Sequence, residues 1–209
     1  MLFDFAALPA QARYKLLAST VTPRPIAWVI SQNAAGAVNA APFSFFNVLA
    51  GDPPTVGISI GNREPGVPKD TLANIQATGE FVVNLVSRDN AEAMNKTATD
   101  FPPGVDELAM AKLTRLPSVK VTPPRIAESP VAFECKLFQS IALGPANTLV
   151  LGHVVAMHVR DDAVLDALNH YIDTAKLDLI GRMHGGGGYT TTRDQFQISR
   201  IALEDWAAD

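Results

Sequence analysis

Asn39-Ala-Ala-Pro-Phe-Ser-Phe-Phe-Asn47 is the stretch on which the reading of this chain turns. Phe43, Phe45 and Phe46 fall within four residues, with Pro42 ahead of them and Ser44 and Asn47 among them. Side chains alternate along a strand, so these three rings cannot all enter one core. At least one needs a dimer contact, a bulge or a ligand. Aromatic faces beside small hydrogen-bonding groups suit a flat, partly polar ring. Filling the interior of a barrel is the competing use, because aromatics dominate cores.

The flanking sequence alternates in the same way. Thr22-Pro-Arg-Pro25 leads into a predicted strand from Pro25 to Ser31. Ile26, Trp28 and Ile30 share one of its faces and Ala27 and Val29 the other, so both faces are expected to be buried. Gln32 to Gly36 reads as a turn into a strand from Ala37 to Ala41. A strand from Thr55 to Ile60 follows the rigid Asp52-Pro-Pro54, and another runs from Glu80 to Ser87. Val131 to Ile141 and Thr148 to Asp161 form a long pair turned at Gly144-Pro-Ala-Asn147. In the first of these, Val131, Phe133, Cys135, Leu137 and Ile141 share an apolar side, and Glu134 and Lys136 mark a polar side. Short helices are predicted over Pro9 to Leu17, Thr71 to Thr78 and Asp89 to Ala98. Asp70 is the expected N-cap of the second and Gly79 its stop. Residues 88–130 are broken by prolines and carry too little apolar content for their own core, so they read as an excursion. At least six strands with only short helices between them predict a mainly β fold, a closed antiparallel barrel in one domain over 1–209.

Composition narrows the function. Apolar residues make up 47% and charged residues 18%, and the net charge is −4. A nucleic-acid or anionic-membrane surface needs a basic patch, so neither partner is expected. One cysteine, Cys135, permits no internal disulfide. With no signal-peptide pattern and no apolar run of roughly 18 residues, the chain reads as cytoplasmic. No triad and no metal-ligand spacing emerges. His153 and His158 are five apart on one strand and point to opposite faces. His158 reads as structural. Gly185 to Gly188 follows no βαβ pattern and is no dinucleotide fingerprint.

The ordered segments Thr22-Pro-Arg-Pro-Ile-Ala-Trp-Val29, Asn39 to Asn47, Gly61-Asn-Arg63, Lys69-Asp-Thr71, Gly152-His153-Val154 and Gly186 to Arg193 carry a resemblance. Together they resemble the flavin reductase-like, FMN-binding split-barrel family, and within it the flavoredoxin-type branch. The match runs from about residue 15 to 200. The resemblance implies a homodimer of six-stranded Greek-key barrels with FMN near the dimer interface.

That ligand brings a dianionic phosphate, a polyhydroxyl chain and a redox ring. Arg63, Lys69 and the hydroxyl of Thr71, beside the helix start at Asp70, are expected at the phosphate. Solvated loop cations and a simple helix cap are the alternative. Asn62 belongs to the same cluster. Ser44 and the backbone of Phe45, Phe46 and Asn47 are candidates for the polar edge of the ring, after Pro42. Arg24, stiffened between prolines, reaches either the ligand or a surface ion pair. His153 reads as a core or interface residue, or, by the matching family position, as a group at the flavin or nicotinamide edge. Tyr189 either caps the pocket or packs on the barrel end.

The function implied is NAD(P)H:flavin oxidoreduction, with hydride passing from NADH or NADPH to FMN and on to a monooxygenase or another acceptor. Such a step needs no acid–base residue, and none is identified. No 2′-phosphate fingerprint separates NADH from NADPH. A non-enzymatic FMN electron carrier, docking to a redox partner, is the alternative. A barrel without flavin is a third reading. Haem and pyridoxal compounds rank below these, for want of an axial ligand or a Schiff-base lysine in a clear context.

Overall fold

Side-chain alternation along Ala27–Gln32 creates two cores on opposite sides of one strand. The computed structural model describes residues 1–102, 104–203 and 206. Helix α1 (Ala10–Thr20) precedes strands β1 (Ala27–Gln32), β2 (Val38–Phe43), β3 (Phe46–Gly51), β4 (Pro54–Glu64) and β5 (Val67–Pro68). Helix α2 (Asp70–Thr78) and β6 (Glu80–Leu85) follow. The segment after β6 holds α3 (Ala91–Lys96), α4 (Glu107–Met110), and the small pair β7 (Arg115–Leu116) and β8 (Arg125–Ile126). The long hairpin is β9 (Val131–Ala142) and β10 (Asn147–Val159). The chain then forms β11 (Val164–Asp166), β12 (Tyr171–Ile172), α5 (Thr174–Leu177), β13 (Ile180–Arg182) and β14 (Tyr189–Thr191).

The main sheet is antiparallel and curled, in the order β2-β1-β6-β9-β10-β4-β3, with β5 hung on β4. Its two edges, β2 and β3, are consecutive pieces of one segment. Before Ser44 that segment pairs with β1, and after Phe45 it pairs with β4. Phe45 spans the break by accepting the Ser59 N–H at 2.8 Å. The break raises the strand count above the six expected. Taken as one bent strand, β2 and β3 restore it once the two-residue β5 is set aside.

Ala27 and Val29 face the barrel interior with Phe46, Ile58, Ile60, Phe81, Val83, Cys135 and Val150. Leu72 and Ile75 of α2 plug the same interior. Gly152 belongs to this packing, since a Cβ there would lie 2.4 Å from Cζ of the buried Phe81 ring. The other face of β1 presents Trp28 and Ile30 to a second core, shared with Met94, Leu108, Val121 and Ile126 of the 88–130 segment. The segment therefore folds onto the outside of the barrel, and both faces of β1 are buried. Polar groups fix it in place: Trp28 Nε1 donates to Thr97 Oγ1 at 2.9 Å, and Ile126 N donates to Asn84 Oδ1 at 2.9 Å.

That coverage overturns the half-buried reading over the first part of β9, whereas Lys136 is exposed as expected. Glu134, assigned to a polar face, is fully buried. Its carboxylate accepts the backbone N–H groups of Val119, Lys120 and Val121, and His158 Nε2 donates to it at 2.6 Å. A carboxylate can only accept, so these donors match it, and they tether residues 119–121 to the barrel. Smaller differences concern boundaries. β4 runs on to Glu64 because β10 pairs with it through Gly61 and β5 extends it. α1 continues to Thr20 because no proline interrupts it before Pro23. Asp70 is the first residue of α2 and not its cap. Lys69 holds the cap position without a side-chain cap bond. Gly79 ends α2 at φ 73°, donating its N–H to Ile75 O.

Burial alone pushes the Glu134 carboxyl up, but the bonds from His158, Val119 and Lys120 outweigh it and hold the group below its ordinary range. A depressed carboxyl contributes stability that is present above the unfolded value of about 4.3 and lost as pH falls through the folded value. Glu134→Gln should therefore be less stable than the wild type in urea at pH 7. The gap should narrow as the pH is lowered below about 4.3. A gap that stays constant from pH 7 to pH 3 contradicts this account.

Candidate functional site

Helix α2 starts where the barrel interior meets the outer segment, and its position defines a cleft. The α2 N-terminus has no side-chain cap, so its first N–H groups lack internal partners. Lys69 and Arg63 line the cleft beside it, together with Asp70, Thr71, Asn39, Pro42 and Phe43. The opposite wall comes from residues 97–101 and Glu107 of the outer segment. This chamber holds about 540 Å3. It continues into a smaller chamber of about 250 Å3 lined by Ile26, Phe43, Ser44, Met94, Arg182 and Tyr189. Tyr14, Pro42, Phe43, Ala98 and Arg182 belong to both. The first chamber falls in the range of small-molecule sites.

Chemistry divides along the cleft. At one end stand the cations Lys69 and Arg63, the open amides of α2 and the Thr71 hydroxyl. Arg63 Nη2 donates to Asp70 Oδ2 at 2.7 Å, which partly neutralises it. Thr71 is buried and accepts from Asn39 Nδ2 at 2.8 Å. Glu107 accepts the Ala40 N–H at 3.1 Å, and burial pushes its carboxyl above the ordinary range. At the other end the lining is more apolar, with Phe43, Ile26 and Met94 around Ser44 and Tyr189. Arg182, where the chambers join, lies with its guanidinium carbon 4.8 Å from the centre of the Tyr189 ring.

Seven of the thirteen residues singled out in the sequence line this cleft: Pro42, Ser44, Arg63, Lys69, Asp70, Thr71 and Tyr189. Six do not. Arg24 is only 5% exposed, and its Nη1 donates to the carbonyls of Ala18, Val21 and Met183 at 2.6, 2.9 and 2.7 Å. Its Nε donates to the Ser44 hydroxyl at 3.4 Å, and none of the described salt bridges involves it. Arg24 ties α1 and the C-terminal hairpin to the barrel. Phe46 enters the barrel core. Phe45 is 41% exposed, packs 6.1 Å from the Tyr14 ring and lies under the Arg24 guanidinium. Only Phe43 of the three rings faces the cleft. Asn47 lies exposed on β3. Asn62, on the opposite face of β4 from Arg63, donates to Pro145 O at 2.9 Å. His153 stacks on Phe138 at 4.5 Å and pairs in register with Thr55. Thr55 is eight residues from Arg63 along β4, roughly 26 Å at the rise of a strand.

The sequence reading also missed residues. Asn39 was quoted in the key stretch but given no role. Tyr14, Asp100, Glu107 and Arg182 come from distant segments. None of these four sits in a segment whose local pattern marks a site.

Residues 19–176 match the family model described as flavin reductase like domain. An uncharacterized protein of Deinococcus radiodurans is 46% identical over 208 residues, covering 98% of this chain and 91% of its own. The structure of nitrilotriacetate monooxygenase component B from Bacillus cereus superposes with a TM-score of 0.89 at 33% identity, covering 95% of this chain and 98% of that one. The 2-nitrobenzoate 2-nitroreductase NbaA of Pseudomonas fluorescens superposes with a TM-score of 0.88 at 33% identity, covering 97% and 98%.

Arg24→Ala leaves three carbonyls without their donor. It should cost about 2–4 kcal/mol in denaturant unfolding. Limited proteolysis should then cut first within residues 183–203. An unchanged unfolding midpoint contradicts the clamp role.

Proposed function

The chain belongs to the flavin reductase-like family, and on that footing we propose that it is an NAD(P)H:flavin oxidoreductase holding FMN in this cleft. The observation that carries the proposal is the uncapped start of α2 between Lys69 and Arg63. An open helix N-terminus with two cations beside it is an anion site. Thr71 adds a hydroxyl whose proton is committed to none of the described hydrogen bonds. That donor set fits a phosphate dianion. The adjoining chamber offers the Phe43 ring, Pro42 and the Ser44 hydroxyl to a flat heterocycle, with Tyr189 at its edge.

FMN, when bound, supplies the redox chemistry by taking hydride from the nicotinamide and passing electrons to an acceptor. The chain's own residues do other work. Lys69, Arg63 and the α2 amides anchor the anionic end. Arg182 adds positive charge where the chambers meet. Pro42 and Phe43 fix the plane of the ring and exclude water from one side. Nothing in this scheme requires a residue to donate or remove a proton. The Bacillus cereus relative is by name one component of a monooxygenase. By analogy we assign the reduced flavin of this protein to a partner oxygenase or another electron acceptor.

The outer surface supports pairing of two copies. Leu49 of β3 and Phe138 and Ile141 of β9 are exposed apolar side chains on the outer side of the sheet. His153, stacked on Phe138, belongs to the same region. A homodimer formed on this face removes these groups from water.

The protein should bind FMN with a yellow spectrum, and NADH or NADPH should bleach it without oxygen. Lys69→Ala should weaken FMN at least tenfold by fluorescence titration. Persistent colour with either donor overturns the reductase function and leaves an electron carrier. A protein that fails to quench FMN overturns both. Sedimentation velocity should give a dimer, and Phe138→Asp with Leu49→Asp should give a monomer. A wild-type monomer at micromolar concentration overturns the pairing.

A further inference from the structure

One half-buried charge in the cleft has no cation to meet it. Glu107 stands on the wall facing Lys69. Its carboxylate accepts the Ala40 N–H at 3.1 Å. The residue before Ala40, Asn39, donates its side-chain amide to Thr71 Oγ1 at 2.8 Å. Consecutive residues of β2 therefore join the Glu107 carboxylate to the first turn of α2. Among the described salt bridges none includes Glu107. Arg115 of β7 is spent on Asp106.

Charge around the larger chamber balances. Arg63, Lys69 and Arg182 face Asp70, Asp100 and Glu107. The three carboxylates are not equivalent. Asp70 is paired with Arg63 at 2.7 Å, and Asp100 is exposed, where water screens it. Glu107 combines partial burial with the lack of a cation, so its charge acts on the chamber with the least screening. The bond to Ala40 explains an acceptor at this position but not a charge. Glutamine would serve the Ala40 N–H and leave the cations unopposed, which is what a maximal hold on a dianion needs.

The titration of the group agrees with its placement. Burial pushes the Glu107 carboxyl up. The N–H groups of Glu107 itself and of Ala40 pull it down, and the charges of Asp106 and Asp70 push it up again. The outcome lies above the ordinary range, so neutralisation begins above a pH of about 4.3. A phosphate dianion in the chamber pushes it further the same way.

We propose that Glu107 is an anionic counterweight to Lys69 and Arg63, which limits the hold on the flavin phosphate and lets the flavin exchange with solution. The proposal rests on the flavin reading of the cleft. It makes Glu107 a determinant of affinity for the charged end of the ligand, distinct from its bond to Ala40.

Fluorescence titration of Glu107→Gln with FMN and with riboflavin, which lacks the phosphate, separates the two roles. At pH 8 the ratio of FMN to riboflavin affinity should be at least threefold higher in the variant than in the wild type. That excess should shrink at pH 5, where the wild-type carboxyl approaches neutrality. The phosphate's own titration is common to both proteins and cancels. A smaller excess at pH 8, or one equal at pH 8 and pH 5, overturns the counterweight with FMN binding intact. Should the variant show no cooperative unfolding transition, the wild type alone decides the matter with riboflavin 5′-sulfate, whose charge is constant over this range. Its affinity relative to riboflavin should climb at least threefold from pH 8 to pH 5, and a flatter ratio overturns the proposal. Among the described residues no histidine lines the chamber to imitate that rise. Failure of the wild type to quench FMN overturns the flavin reading and the counterweight together.

Discussion

The molecule depends on one segment serving two sheet edges. β2 pairs with β1, β3 pairs with β4, and only Ser44 and Phe45 lie between them. The chain must bend there to satisfy both ladders, and the bend takes Ser44 out of regular pairing. That is why its hydroxyl faces a cleft and not a neighbouring strand. The same bend resets the alternation of the three phenylalanines. Phe43 faces the cleft, Phe45 the outer surface and Phe46 the core. A slip of one residue would exchange these roles and put a polar group into the barrel.

Helix α2 links that scaffold to the chemistry. Leu72 and Ile75 belong to the barrel core, so the helix is held by apolar burial on one side. Its first turn is thereby aimed at the cleft with its amides unspent. Such a terminus is costly unless water or a ligand meets it. Arg63, brought alongside by the extension of β4, is held by Asp70 at the same terminus.

The outer segment supplies the remaining wall, and a buried carboxylate holds it there. Glu134 satisfies three successive backbone donors that no strand or helix would otherwise use. His158 completes the set from β10. Removing the carboxylate would loosen residues 119–121, on the same outer segment that bears the cleft residues 97–101 and Glu107.

Much of this was legible in one dimension. Period-two patterning located β1, β6, β9 and β10, since a strand between two cores must alternate or be apolar throughout. Gly79 marked the end of α2, because its left-handed conformation suits glycine best. The family resemblance lay in ordered short motifs, and those motifs hold the seven predicted site residues that line the cleft. What the chain could not state alone was which side of each strand is covered. Glu134 looked solvent-facing until residues 88–130 folded over it. Arg24 looked available until two carbonyls at the end of α1 and one from the distant C-terminal hairpin closed on it. Arg182 and Glu107 reach the cleft from segments with no local mark of a site. Alternation along a strand is a local property and sequence records it, whereas burial and neighbourhood arise only when distant segments pack.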